Sequence, residues 1–371
     1  MLNYWLALSV LGGIGLTGKH KLLKTFGSPD KVFEENIRKV DFPRIRGDID
    51  LAAQKNVCLE SAENIIDKCE KEKAKIICFD DEDYPRLLKN IGASAPLVIY
   101  CKGSSEVLSE KNVVIVGTRE PNVNGQKDAR LLSSQLAQNG FVIVSGLARG
   151  VDTIAHNSAL EAGGKTVSVM ATGIDMVTPT QNIELAKRIV DNGGAVITEQ
   201  HPGKMPYAPN FAQRDRIISG LSQCTIVVSA PEKSGALITA DFAERQGRKV
   251  FVVPGTISDE KYKGSNRLLL KKIVDPALTI EGILAYINGT KNVEQISIFD
   301  VPQKVLAPVP NKRTDYTEEQ ETLLSFLSAQ PIGIETLSER SGISIDKLYG
   351  ILFELEIEGI VLRTAQEEYY C

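Results

Sequence analysis

The sequence predicts a doubly wound parallel α/β sheet, preceded by an N-terminal helical domain and followed by a C-terminal winged-helix domain. Three observations carry that expectation. Six short apolar runs, Val113–Val116, Phe141–Val144, Thr166–Met170, Ala195–Thr198, Thr225–Val228 and Val250–Val253, alternate with helix-length segments. Each run is continuous and rich in β-branched residues, as in strands covered on both faces. Glycine-arginine turns also recur where a strand meets a helix, in VVIVGTRE, FVIVSGLARG and SGALITADFAERQGRK. In a parallel sheet with right-handed crossovers these junctions gather at the carboxyl ends of the strands, where ligands bind.

In chain order, residues 1–72 read as a SAM/helix-hairpin-helix-like domain. Leu6, Leu8, Leu11, Ile14, Leu22, Leu23 and Phe26 keep helical spacing across a Gly-Ile-Gly turn. In that motif the turn presents amides to a DNA phosphate, here with Lys19 and Lys21; a hairpin used only for packing is the alternative. Two further short helices are expected between Ile49 and Cys69. Residues 73–285 form the extended Rossmann-like domain, with minor strands at Lys75–Phe79 and Leu97–Tyr100 before the six main ones. Helices are expected near 124–139, 151–163, 181–192, 211–222, 236–247 and 266–274. Residues 286–315, with VPQKVLAPVPNKR, are too proline-rich for regular structure and read as a linker. In residues 316–371 a helix opens at Thr317, where Gln320 completes a capping box. A turn, a helix at Ile345–Glu358 and short terminal strands complete a winged helix.

Composition narrows the function. The chain has 371 residues, 43% hydrophobic and 24% charged, with a formal net charge of −4. That is a soluble multidomain protein without a global basic field. Residues 112–285 hold 19 basic against 16 acidic side chains, whereas residues 314–371 hold 3 against 12. Polyanion binding is therefore expected in the middle and not in the tail. The six cysteines lack ligand spacing and suggest reduced thiols, with no metal or cofactor. The apolar start lacks a basic leader and is broken by Gly12, Gly13 and Gly15, so a cytoplasmic protein without a signal peptide or membrane span is expected.

The turns suit a phosphate-rich ligand. Glycine admits close approach of amides, helix N-termini favour anions, and arginine grips oxygens in a fork. Gly117-Thr118-Arg119 is not a dinucleotide fingerprint, because GxGxxG is missing and strand two ends at Ser145-Gly146 instead of an acid. Arg149 is a further phosphate candidate, and Asp152 is expected to cap or charge the next helix. His156 stands one turn after Asp152, but no nucleophile is placed beside the pair, so a packed histidine is favoured. Lys204 and Tyr207 offer a cation beside an aromatic, which suits single-stranded nucleic acid. Arg214 and Arg216 diverge on a helix, so one should pair internally and one face the ligand. Ser234-Gly235 opens a helix with free amides. No nucleophile elbow, phosphate loop or zinc motif is present.

VGTRxP, SGLARGVDxxAHxxAL, TGIDMVTP, RDRIISGLS, SGALITA and the terminal VVPG…GSNRLL, in this order, closely resemble the DNA-processing protein A (Smf) family of natural transformation. The resemblance is dense over residues 76–285 and looser at both ends. It implies a non-enzymatic, dimeric, Rossmann-like core that binds single-stranded DNA and loads the RecA recombinase. By motif, the phosphate grip falls on Gly117, Thr118 and Arg119 with Ser145, Gly146 and Arg149 beside it, and less securely on Lys204 and Tyr207. Thr178, Asp215 and Ser229 depart from the family's usual tyrosine, asparagine and glutamate. The alternative is a nucleotide phosphoribohydrolase-like enzyme on the same fold, whose PGGxGTxxE motif is matched neither by PGTISDE nor by SGALITA.

Overall fold

The computed structural model describes residues 1–34, 51–271, 273–289, 316–328, 331–357, 360–363 and 368–370. The first compact unit, Met1–Val293, opens with helices α1 (Leu2–Val10), α2 (Leu16–Phe26), α3 (Pro29–Val32) and α4 (Leu51–Lys71). Where two short helices were expected there is one of 21 residues. It contains no glycine or proline and buries Leu51, Cys58, Ala62, Ile65 and Cys69 at helical spacing, so nothing in it interrupts the turn-to-turn pattern.

The sheet domain follows as β1 (Lys75–Cys78), α5 (Arg86–Lys89), β2 (Val98–Gly103), β3 (Asn112–Val116), α6 (Val123–Gln138), β4 (Val142–Ser145), α7 (Val151–Glu161), β5 (Thr166–Val169), α8 (Ile183–Asp191), β6 (Ala195–Thr198), α9 (Ala208–Gly220), β7 (Cys224–Val227), α10 (Gly235–Arg245), β8 (Lys249–Val252), α11 (Lys263–Leu268), β9 (Val274–Pro276) and α12 (Ile280–Ile287). The order across the nine-stranded sheet is β1-β2-β6-β5-β4-β3-β7-β8-β9, parallel from β6 to β9. Strands β1 and β2 close one edge in antiparallel pairing. Two elements were not expected. The segment foreseen as a helix over 266–274 splits into α11 and the edge strand β9. Ile273 and Val274 suit a strand, and Pro276 is tolerated on an edge that needs no further donor. Thr279 accepts a hydrogen bond from the Gly282 amide and so caps α12.

Period-two alternation sends β3 side chains to opposite cores. Val114 and Val116 pack with Ile217, Ile218 and Ala240 of α9 and α10, whereas Val113 and Ile115 pack with Leu136, Val151 and Ala155 of α6 and α7. The N-terminal helices share a third core with the antiparallel edge: Trp5, Leu6, Leu8 and Leu22 meet Val98, Tyr100, Met170 and Val196. The described helices α1 to α4 are thus seated on the sheet within one compact unit. Cys58, Cys69, Cys78, Cys101 and Cys224 are buried and free.

In the second unit, Glu294–Cys371, α13 (Glu318–Phe326), β10 (Ile332–Gly333), α14 (Ile334–Ser341), α15 (Ile345–Ile357), β11 (Leu362–Arg363) and β12 (Glu368–Tyr370) form a winged helix with strand order β10-β12-β11. The capping box is present: Thr317 Oγ1 accepts from the Gln320 amide at 3.2 Å, and Gln320 Oε1 accepts from the Thr317 amide at 3.1 Å. Of the expected linker over 286–315, residues 290–315 lie outside the described residues, and the last turn of α12 occupies its beginning.

Candidate nucleic-acid interface

Strand β3 pairs with β4 on one side and β7 on the other, so its carboxyl end is the topological switch point of the sheet. The Gly117–Arg119 turn sits there. A Cβ on Gly117 would lie 2.6 Å from Val151 Cγ2, so only glycine lets the first residue of α7 approach. The Thr118 amide donates to Ser229 O at 2.7 Å, and Thr118 O accepts from the Val151 amide at 3.1 Å. The next turn closes over this one. Gly150, at φ +77°, packs so tightly that a Cβ would lie 2.4 Å from Thr118 O and 2.6 Å from Arg119 O. The two turns clasp each other, while the Arg119 and Arg149 side chains are exposed.

The second turn is held from beneath. Leu147 is fully buried with φ +59°, a left-handed conformation that a branched residue adopts only when its surroundings impose it. Three side chains impose it. Asp152 Oδ2 accepts from the Gly146 and Ala148 amides at 3.1 and 3.3 Å. Arg214 Nη1 donates to Gly146 O at 2.7 Å, and Asn182 Nδ2 donates to Leu147 O at 2.7 Å. Arg214 also reaches Val169 O at 2.5 Å, and its Nε meets Asp215 Oδ1 at 3.0 Å. Burial pushes the Asp215 carboxyl up to about 6, against the pull of Arg214, and raises the Asp152 carboxyl likewise.

Several expectations are corrected here. Both arginines of the pair are buried and take internal partners, where one was expected to be free for a ligand. Arg214 is committed to the turn, and Arg216 forms a two-pronged ion pair with Glu199 at 2.9 and 2.5 Å, both arginines being buried. Their divergence on α9 sends them to two different internal partners. Ser145 is buried, and its hydroxyl donates to Ile115 O at 2.7 Å. The Gly146 amide already serves Asp152, and a Cβ there would strike the Arg214 guanidinium. Ser145 and Gly146 thus shape the turn from inside. Asp152 lies in the first turn of α7, as expected, but its carboxylate bonds the preceding turn, and the helix is capped by Gly150. His156 is buried as expected, at 2.6 Å from Thr166 Oγ1, and burial pushes its imidazole down to about 3. Lys19 is turned inward as well: it donates to Ser9 O at 2.6 Å and does not flank the Gly-Ile-Gly turn as a surface cation.

The remaining candidates stand on the same end of the sheet. Lys204 is half-buried and Tyr207 is 59% exposed, both in the loop after β6. Ser234 Oγ accepts from the Ala236 amide at 3.3 Å and caps α10, and Gly235 is exposed with open space at its Cβ position. From the loop after β6 to the loop after β7 there are four inter-strand steps, a rim of roughly 19 Å at 4.8 Å per step. Sequence reasoning missed Asn182. A polar residue between helices carries no local signature when its partner is a backbone carbonyl 35 residues away.

The rim's sequence and architecture recur elsewhere. A family model described as DNA recombination-mediator protein A matches residues 75–288, and one described as DprA winged helix domain matches residues 307–366. Protein Smf of Synechocystis is 29% identical over 383 residues, covering 96% of each chain. The X-ray structure of DNA processing protein A from Streptococcus pneumoniae superposes with a TM-score of 0.63 at 31% identity, covering 77% of this chain and 98% of that one. A structure of the Helicobacter pylori protein, described for its single-stranded DNA binding mode, aligns with a TM-score of 0.52 at 29% identity, over 59% of this chain and 96% of that one.

Proposed function

Because this chain belongs to the DNA recombination-mediator protein A family, we propose that it binds single-stranded DNA along the carboxyl rim of its parallel strands, without catalysis. The observation that carries this is the clasp of the Gly117–Arg119 and Ser145–Gly150 turns. It sets two exposed arginines on backbone that is already fixed, at the switch point of the sheet. Arg119 and Arg149 grip backbone phosphates, with Gly117 and Thr118 shaping the floor. Lys204 and Tyr207 continue the track on one side, and the Ser234-Gly235 helix start continues it on the other. A cation that follows the backbone beside an aromatic that meets a base is the combination single strands require. The relative from Helicobacter pylori, described as binding single-stranded DNA, supports the reading.

A homodimer through the Rossmann-like domain, delivery of the strand to the RecA recombinase, a part in natural transformation and a cytoplasmic setting follow from the family resemblance. Among the described residues, no helix is long and apolar enough to cross a membrane. The rival enzyme reading finds no support at Gly255. A Cβ there would lie 1.9 Å from the Tyr262 ring, and the Gly255 amide donates to Asn266 Oδ1 at 3.0 Å, so the protein's own side chains fill that turn. The test is binding of labelled oligo-dT across a salt series, with wild type beside Arg119→Ala. A response that is flat in both would overturn the assignment.

A further inference from the structure

Away from the rim, two cavities of about 560 and 590 Å³ lie along helix α2. Thr17 and Ala93 line both, so the two adjoin along a groove between the helical hairpin and the sheet domain. Each is within the size range of a small-ligand site. One end opens at the carboxyl end of β6, where His201 and Lys204 line it. This is the loop in which the proposed DNA track ends. The other end is lined by Trp5, Lys21, Lys24 and Phe79.

Cations outnumber carboxylates along the groove, whose lining holds Lys19, Lys21, Lys24, Lys204 and Arg216 against Asp80 and Glu199. Lys21 and Lys24 are exposed on α2 and line the groove, and Lys89, outside the lining, stands with its Nζ 4.8 Å from the centre of the Phe79 ring that does line it. That ring is buttressed edge-on by His20 and Tyr84 at 5.1 and 5.3 Å, and it offers the exposed lysine a cation–π contact. Two carboxylates reach the groove. Glu199 is neutralised by Arg216, and Asp80 shares the lining of the cavity that holds Lys21 and Lys24. A row of cations beside apolar surface, joined to the rim at Lys204, fits a polyanion whose bases can lie against the wall.

Building on the rim reading, we propose that this groove is a second nucleic-acid subsite that carries the single strand from Lys204 past Thr17 to Lys21, Lys24 and Lys89. The helical hairpin then touches DNA through the side of α2 together with Ile14 and Gly15 of its Gly-Ile-Gly turn, which line the same cavity. Strands long enough to leave the rim gain affinity from it, and short ones do not.

The test uses the full chain and labelled oligo-dT of about 4 and about 14 nucleotides, spanning the site sizes of single-strand binders. Lys21→Glu, Lys24→Glu and Lys89→Glu combined should weaken the long oligomer about tenfold or more and the short one by less than about twofold, as expected for lost phosphate contacts. Trp5 is the single tryptophan of the chain and lines the groove, so its emission should change with the long oligomer and not with the short one. The graded series Lys→Gln at the same positions separates charge from any loss of folding, which thermal melting monitors. Unchanged affinity of the triple variant for the long oligomer, or an equal loss at both lengths, overturns the proposal. Arg119→Ala should weaken both lengths. Its failure to do so refutes the rim reading, while the groove is judged from the triple variant alone.

Discussion

Truncating Arg119 to alanine removes an exposed guanidinium from a turn that the backbone holds by itself. The Thr118 bonds to Ser229 and Val151 remain, and so does the packing of Gly150. Stability should therefore change by less than about 0.5 kcal/mol. Binding should suffer far more. A charge-assisted contact contributes about 1.5–3 kcal/mol, or roughly 10- to 100-fold in affinity. Loss of one phosphate contact should also flatten the dependence of log K on log salt by about 0.7 for a single strand. The core carries 19 basic against 16 acidic residues, so its contacts are few and one lost contact is a large share of the slope. Fluorescence anisotropy with oligo-dT at several salt concentrations reads both quantities, and melting curves read the first. An unchanged slope with a large drop in melting temperature would refute the reasoning, because the arginine would then act through the fold.

Other perturbations separate shape from charge. Gly150→Ala forces a Cβ against Thr118 O at φ +77°, so the clasp should open; a loss of about 2–4 kcal/mol in thermal unfolding, with DNA affinity falling alongside, is expected. Asp215 has its folded-state carboxyl raised to about 6, so its contribution is fully present below its unfolded value and fades as pH rises through about 6. Wild type should accordingly gain stability over Asp215→Asn as pH falls from about 7 to about 4.5, read as the difference between their melting temperatures. Removal of Thr314–Cys371, which takes away 12 acidic and 3 basic residues, should leave DNA affinity the same or higher in a gel shift, and a clear loss would sink the view that this part does not grip DNA.

The parallel sheet was legible because its strands announce themselves: Val113–Val116 and Val250–Val253 are buried on both faces and contain little else but β-branched residues. The clasp was legible only in part. Glycines at 117 and 150 signal close approach, but nothing local tells which atom approaches. Arg214 illustrates the limit. Its spacing from Arg216 showed that the two diverge, whereas the acceptors that decide its role, Gly146 O and Val169 O, lie 68 and 45 residues away in sequence. Strand β9 was hidden because a three-residue edge strand containing proline has no periodicity to detect.

The left-handed backbone at Leu147 bears on the kinetics of the proposed encounter. The turn is locked by Asp152, Asn182 and Arg214 before any strand arrives, so its ordering entropy is already lost on folding. A strand meeting such a rim adapts to the protein, not the reverse. Association is then expected to be single-phase and steered by charge, without a slow loop rearrangement. Guanidinium forks address phosphate whatever the base, so the proposed rim is expected to be indifferent to sequence.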